Sequence, residues 1–134
     1  MWKLVLLAMG GAMGAVLRVE AVRLIDGLFQ HRVAWLPMNL GLLAVNLSGC
    51  LAFGVAWAVL DARGQLHSAW AWALLGGGLG AFTTFSTFAF ESTQLFEKAG
   101  GWWAVAQLIG HNAVGIALIF VGLAAGRAMT GIGG

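Results

Sequence analysis

GGGLGAFTTFSTFAF, residues 76–90, is the stretch on which the reading of this chain turns. It lies in a run, Gly64–Phe90, that carries no Lys, Arg, Asp or Glu. About 20 mainly apolar residues suffice to cross a bilayer, so the run is long enough to span one. Its centre is nonetheless unusual. Gly76, Gly77, Gly78 and Gly80 precede the hydroxyls of Thr83, Thr84, Ser86 and Thr87, and Phe82, Phe85 and Phe88 fall at every third position. Each Gly costs about 1 kcal/mol relative to Ala inside a helix. A glycine run alone is explained equally well by close helix packing. Joined to a hydroxyl ladder, it predicts a third spanning helix that is broken. Broken backbone at membrane depth is tolerated only where it is buried in protein or lines a wet cavity.

The rest of the chain is consistent with a membrane setting. Its 134 residues are 60% hydrophobic and 9% charged, where soluble domains carry about 25% charged residues. Three further runs are apolar enough to span: Leu4–Leu17, continuing thinly past Arg18 to Ile25; Val33–Leu60; and Ala99–Gly126. The charges gather between runs, and most of the seven Trp stand near predicted span ends, where indoles prefer the headgroup level. Trp57 and Trp72 have the alternative of lying deeper, against neighbouring helices. The reading is one all-α integral membrane domain, residues 1–134, with four transmembrane helices. The basic residues are scattered and form no patch for nucleic acid. The single Cys50 excludes an intrachain disulfide and reads as a small packing residue. Gly10, Gly11 and Gly14 interrupt the first run and Arg18 follows it, unlike a cleaved signal peptide.

With four spans, Lys3, Arg63 and Arg127 fall on one side of the membrane and Arg23, Arg32 and Lys98 on the other, with Arg18 near that boundary. Orientation follows the Lys/Arg excess, and a near-tie predicts insertion both ways round. Dual insertion permits an antiparallel homodimer, which doubles the wall available to a pathway. Gly10/Gly14, Gly76/Gly80 and Gly122/Gly126 form G-x-x-x-G pairs suited to close helix approach, and Ala44, Ser48 and Ala52 stack at i, i+4.

Several polar side chains lie at membrane depth. Asn46, central in the second run, must face a partner or water. Either a helix–helix hydrogen bond or a pore-lining donor answers that need. Asn39 reads as structural, and Arg18 as an interface anchor or a vestibule residue. Gln107, His111 and Asn112 in the last run face a cavity or a neighbouring helix. No His/Cys/Asp/Glu cluster suits a transition metal, and no Ser-His-Asp arrangement emerges, so the chain does not read as an enzyme. Ring edges carry partial positive charge, so an edge-on Phe can touch a small anion while hydroxyls and the Asn46 amide donate to it. A carbonyl-lined cation site fits the same residues, and physical reasoning alone leaves both open.

Gly77-Gly78-Leu79-Gly80-Ala81-Phe82-Thr83-Thr84-Phe85-Ser86-Thr87-Phe88 resembles the G-x-x-G-G-x-T-T-F-S-T-F signature of the small fluoride channels known as Fluc or CrcB. Gly10, Gly11, Gly14, Ala15 and Arg18 match the family's first-span pattern, and Gly41, Asn46 and Gly49 its second; the last span matches only in hydropathy. The resemblance implies a passive fluoride channel of the bacterial plasma membrane, an antiparallel homodimer with two pores. It implies Asn46 as the pore Asn, Phe85 and Phe88 as pore phenylalanines, and Ser86 and Thr87 as a polar track. Arg18 and Glu91 match a family Arg and an acidic residue just after the signature. It also implies a central structural Na⁺ held by backbone carbonyls at Gly80 and Thr83. The chain departs from the family at Leu42, where a Thr is common, at Phe82, and at Gln107 and His111, where Tyr or Asn and then Ser are frequent.

Two other functions compete. Small multidrug exporters share the length, the four spans and dual orientation, but couple transport to protons through an intramembrane carboxylate; Leu4–Leu17 has none and Glu91 falls at a predicted span end. A non-transporting assembly partner would use Asn46 and the hydroxyls only to hold helices together.

Overall fold

The computed structural model describes residues 1–29 and 36–131. Arg32, Trp35 and the start of the predicted Val33–Leu60 span lie outside the described residues. Helix α1 runs over Trp2–Phe29 and α2 over Leu40–Ala62. Helix α3, residues 69–82, is α-helical over Ala69–Ala71, π-helical over Trp72–Leu79 and α-helical again over Gly80–Phe82. After a two-residue gap come α4, Phe85–Ala99, and α5, Gly101–Thr130. Four segments are long and apolar enough to cross a membrane: α1, α2, α3 with α4, and α5.

Local chemistry sets the ends. The second span starts at Leu40, later than predicted, because Pro37 stands just before it and Asn39 caps it: the Leu42 N–H donates to Asn39 Oδ1 at 2.8 Å. This is the structural role expected of Asn39. Ser68 caps α3 by accepting from the Ala71 N–H at 3.1 Å. The corner between α4 and α5 is Gly100, at φ 95°, a conformation that a Cβ would strain. The third span extends to Ala99 rather than Phe90, so Glu91 lies within α4 and not at a span end. At about 1.5 Å per residue, α1 and α5 exceed a hydrocarbon core of about 30 Å, so they tilt or reach into the headgroups.

Two seams hold the spans together. In the first, α1 meets α3: a Cβ on Gly10 would strike the Ala73 carbonyl, one on Gly14 the Gly78 carbonyl, and one on Gly77 would come within 2.6 Å of the Leu7 carbonyl. In the second, α2 meets α5: Gly54 lies against the Ile119 carbonyl, Gly122 against that of Leu51, and Gly126 near that of Val55. Lipid tails give no hydrophobic drive for helix pairing, so such seams rest on van der Waals fit, which small residues permit. Two of the predicted G-x-x-x-G pairs are thus seams within the chain. The Gly76/Gly80 pair is not; the wide π-helical turns place Gly77 in contact instead. Ser48 and Ala52 face outward. A small cluster of Leu60, Ala71 and Leu75 closes one end, while large apolar side chains such as Met13, Leu24, Ile109 and Phe120 are exposed along the spans, as a lipid-facing surface requires.

Candidate permeation site at the break in the third span

The break falls at Thr83 and Thr84, both extended (φ −86°, ψ 154° and φ −148°, ψ 121°). The glycine run does not break the helix, as the sequence predicted; it is absorbed into the π-helical turns three residues earlier. Without side chains those turns let α1 approach the backbone directly. The break itself is held by Asn46. Its Oδ1 accepts from the Thr84 N–H at 2.9 Å, and its Nδ2 donates to the Thr84 carbonyl at 3.2 Å. The buried amide therefore replaces the ladder bonds that Thr84 has lost, which is the helix–helix bond foreseen as one of its two roles. One Nδ2 hydrogen is left over for another acceptor.

Thr84 also starts α4. Its Oγ1 accepts from the Thr87 N–H at 3.4 Å and lies 3.3 Å from Ser86 Oγ and 3.2 Å from Thr87 Oγ1. Three hydroxyls thus gather at one helix start, where orphan N–H groups already favour negative charge. Thr83 turns the other way and donates its hydroxyl to the Leu79 carbonyl at 3.0 Å. Beyond α3 the helical N–H groups run out, which leaves its last carbonyls, that of Gly80 among them, and the carbonyl of Thr83 in the break free of helical partners. Among the described residues no group of His, Cys, Asp or Glu could hold a metal. Carbonyl oxygens are hard donors and fit a hard cation such as Na⁺.

A cleft of about 350 Å³ opens beside the break, walled by Asn46, Thr83, Thr84, Phe85, Phe88 and His111. Phe88 is 3% exposed and Phe85 76% exposed, with their ring centroids 6.0 Å apart and planes at 53°. Phe85 therefore projects away from its own chain. Phe82 does not continue their row: the break leaves it on α3, facing Gly49. The three Phe, spaced at every third residue, are divided because two extended residues reset the helical phase. A second cleft, about 280 Å³, brings Arg18 from α1 together with Thr84, Thr87 and Glu91. A third, about 310 Å³, places Glu91 with Asn39, Lys98 and Gln107. Glu91 Oε2 and Gln107 Oε1 are buried with no hydrogen-bond partner among the described residues. Leu42 lines the second cleft with an apolar side chain. Ser86 is exposed beside the break, as is Gly80.

Sequence reasoning missed two contacts. Asp26 Oδ1 accepts from the Gly41 N–H at 2.9 Å, tying α1 to the start of α2; a lone Asp gave no sign of it. The His111 ring lies 4.4 Å from that of Phe88. Its position in the last run was noted, but its neighbour was not. Trp57 stacks on Phe53, 6.2 Å between centroids, and both Trp57 and Trp72 are exposed.

Four spans, one of them interrupted beside a cleft of hydroxyls, an amide and phenyl rings, define a multi-pass helical membrane channel. The sequence model described as "CrcB-like protein, Camphor Resistance (CrcB)" matches residues 5–123. The chain belongs to this CrcB/FluC family of ion channels, and not to the enzymes. It is 45% identical over 128 residues, 95% of its length and 98% of the relative's, to the fluoride-specific ion channel FluC of Nitratidesulfovibrio vulgaris. It is 40% identical over 128 residues (95% and 97%) to that of Maridesulfovibrio salexigens, and 37% over 123 residues (91% and 94%) to that of Nitrosococcus oceani. Family membership also removes the drug-exporter alternative, whose exclusion could not rest on Glu91, since that carboxylate lies inside the third span.

Proposed function

We propose that the protein is a fluoride-selective channel that lets F⁻ leave the cell passively through the bacterial plasma membrane. The observation that carries this reading is the break at Thr83–Thr84: neutral donors and phenyl rings meet there in a cleft whose wall, among the described residues, has no Lys, Arg, Asp or Glu. Conduction needs binding strong enough to admit the ion and weak enough to release it. Hydroxyls, one amide hydrogen and ring edges have that intermediate strength; a fixed cation would hold the anion too firmly.

The unit is an antiparallel homodimer with two pores. Exposed Ser86, Thr87 and Asn112 support this, because polar groups at membrane depth must be covered by protein or water. The exposure of Phe85 supports it too, since a second copy gives that ring a pathway to line. In each pathway Arg18 and Glu91 form the vestibule, Ser86 and Thr87 the polar track, and Asn46, Phe85 and Phe88 the narrow part. The carbonyls of Gly80 and Thr83 hold a structural Na⁺ between the subunits, where it fixes the two breaks against each other. A crystallographic density with Na⁺ distances near those oxygens tests that site, and a water there rejects it.

The channel is tested by fluoride efflux from proteoliposomes, read with an ion-selective electrode. Rapid F⁻ release with little Cl⁻ release is expected. Equal rates for the two halides, or none for either, would reject the reading.

A further inference from the structure

His111 stands on α5 at the wall of the cleft of about 350 Å³ that Asn46 and Phe85 also line. Its ring is 4.4 Å from that of Phe88, with the planes tilted by 55°. Nδ1 is buried and has no hydrogen-bond partner among the described residues. The neighbouring amides bond elsewhere: Asn46 holds the Thr84 backbone through Oδ1 and one Nδ2 hydrogen, and Asn112 Nδ2 donates to the Leu108 carbonyl at 2.7 Å. Among the described residues no carboxylate of this chain lines the cleft. Imidazole always carries at least one N–H donor, and a buried polar group without a partner is destabilising until something fills the role.

We propose that His111 is an anion-coordinating and selectivity-determining residue, its imidazole N–H donating to a small, strongly hydrated halide as the ion passes Phe88. The tilted Phe88 ring fixes the imidazole and offers its own positive edge to the same ion. An N–H donor favours the ion with the highest charge density, so this contact contributes more for fluoride than for chloride. The inference rests on the fluoride-channel reading, and a wild-type protein that carries no fluoride would reject that reading rather than this residue's role.

Two substitutions separate donation from packing. His111→Phe keeps a ring against Phe88 and removes the N–H; His111→Gln removes the ring and keeps an N–H. In proteoliposomes where the wild type conducts, H111F is expected to lower F⁻ efflux about tenfold or more, the loss of one hydrogen bond to an ion, and to narrow the F⁻/Cl⁻ ratio. H111Q is expected to stay within about threefold of wild type, an amide being a comparable donor. Wild-type rates in H111F, or loss in H111Q with retention in H111F, would overturn the proposal. Should a variant fail to fold, the wild type still decides: fluoride, but not gluconate, is expected to shift the ¹⁵N resonances of the His111 imidazole, and unmoved resonances would overturn it.

Discussion

The two glycine seams and the cleft at Thr83–Thr84 solve opposite problems within one small bundle. In the seams backbone touches backbone: Gly10 and Gly14 lie on the carbonyls of Ala73 and Gly78, and Gly54 and Gly122 interlock with Ile119 and Leu51. At the cleft, space and donors are both left over: Phe85 projects outward, His111 Nδ1 is unpartnered among the described residues, and one Asn46 hydrogen is free. Rigid seams let the rest of the fold carry an interrupted helix without collapsing onto it. Asn46 links the two regions, since it sits on the α2 face next to Gly49 and holds the break by two bonds.

The comparison is broken most severely by filling a seam. Gly14→Val places a branched side chain on the Gly78 carbonyl, and overpacking of this kind costs about 1–3 kcal/mol, more where only backbone can yield. Loss of monodisperse protein in detergent is expected; a well-folded G14V would show that the seam is loose. Next is Asn46→Asp, which keeps an acceptor for the Thr84 N–H but loses the donor to its carbonyl and adds negative charge beside the anion path. Fluoride efflux is expected to fall more than about a hundredfold, as repulsion compounds a lost bond of about 1 kcal/mol. Efflux near the wild-type rate would detach Asn46 from the pathway. Phe85→Ile is expected to cut efflux by about tenfold, the scale of one lost ion contact. It should move chain stability by no more than about 0.5 kcal/mol, because the ring is exposed. A stability loss without a flux loss would reassign Phe85 to packing. The smallest effect is expected of Gly11→Ala. A Cβ there meets nothing within 4 Å, so helix propensity alone should stabilise the chain slightly, by up to about 1 kcal/mol, read as a small rise in melting temperature. A G11A variant as damaged as G14V would mean that the two faces of α1 do not differ.

Much of the site was legible in the residues, unevenly and for identifiable reasons. Asn46, Thr83 and Thr84 stood out because polar groups in an apolar run must find partners; Asn46 found the Thr84 backbone, and the Thr83 hydroxyl the Leu79 carbonyl. Gly10, Gly14, Gly122 and Gly126 announced close packing by spacing alone. The position of the break was misplaced, because glycine's weak helix propensity was weighed without the packing that overrides it. The π-helical turns through Trp72–Leu79 keep the glycines helical against α1. Phe82, Phe85 and Phe88 keep one spacing in the sequence, which says nothing of the two extended residues that divide them. Glu91 was put at a span end because charge normally marks one, yet α4 carries it on to Ala99.

Sequence alone determined that the chain lives in a membrane, crosses it four times and carries hydroxyls, phenyl rings and one amide at depth, because composition and hydropathy are sums over local residues. Tertiary structure decided where the third span parts, that Asn46 closes the parting, that Phe85 faces out while Phe88 faces His111, and that Arg18 shares a cleft with Thr87 and Glu91. Those outcomes depend on which helices touch, and contacts between residues far apart in the chain leave no trace in local periodicity.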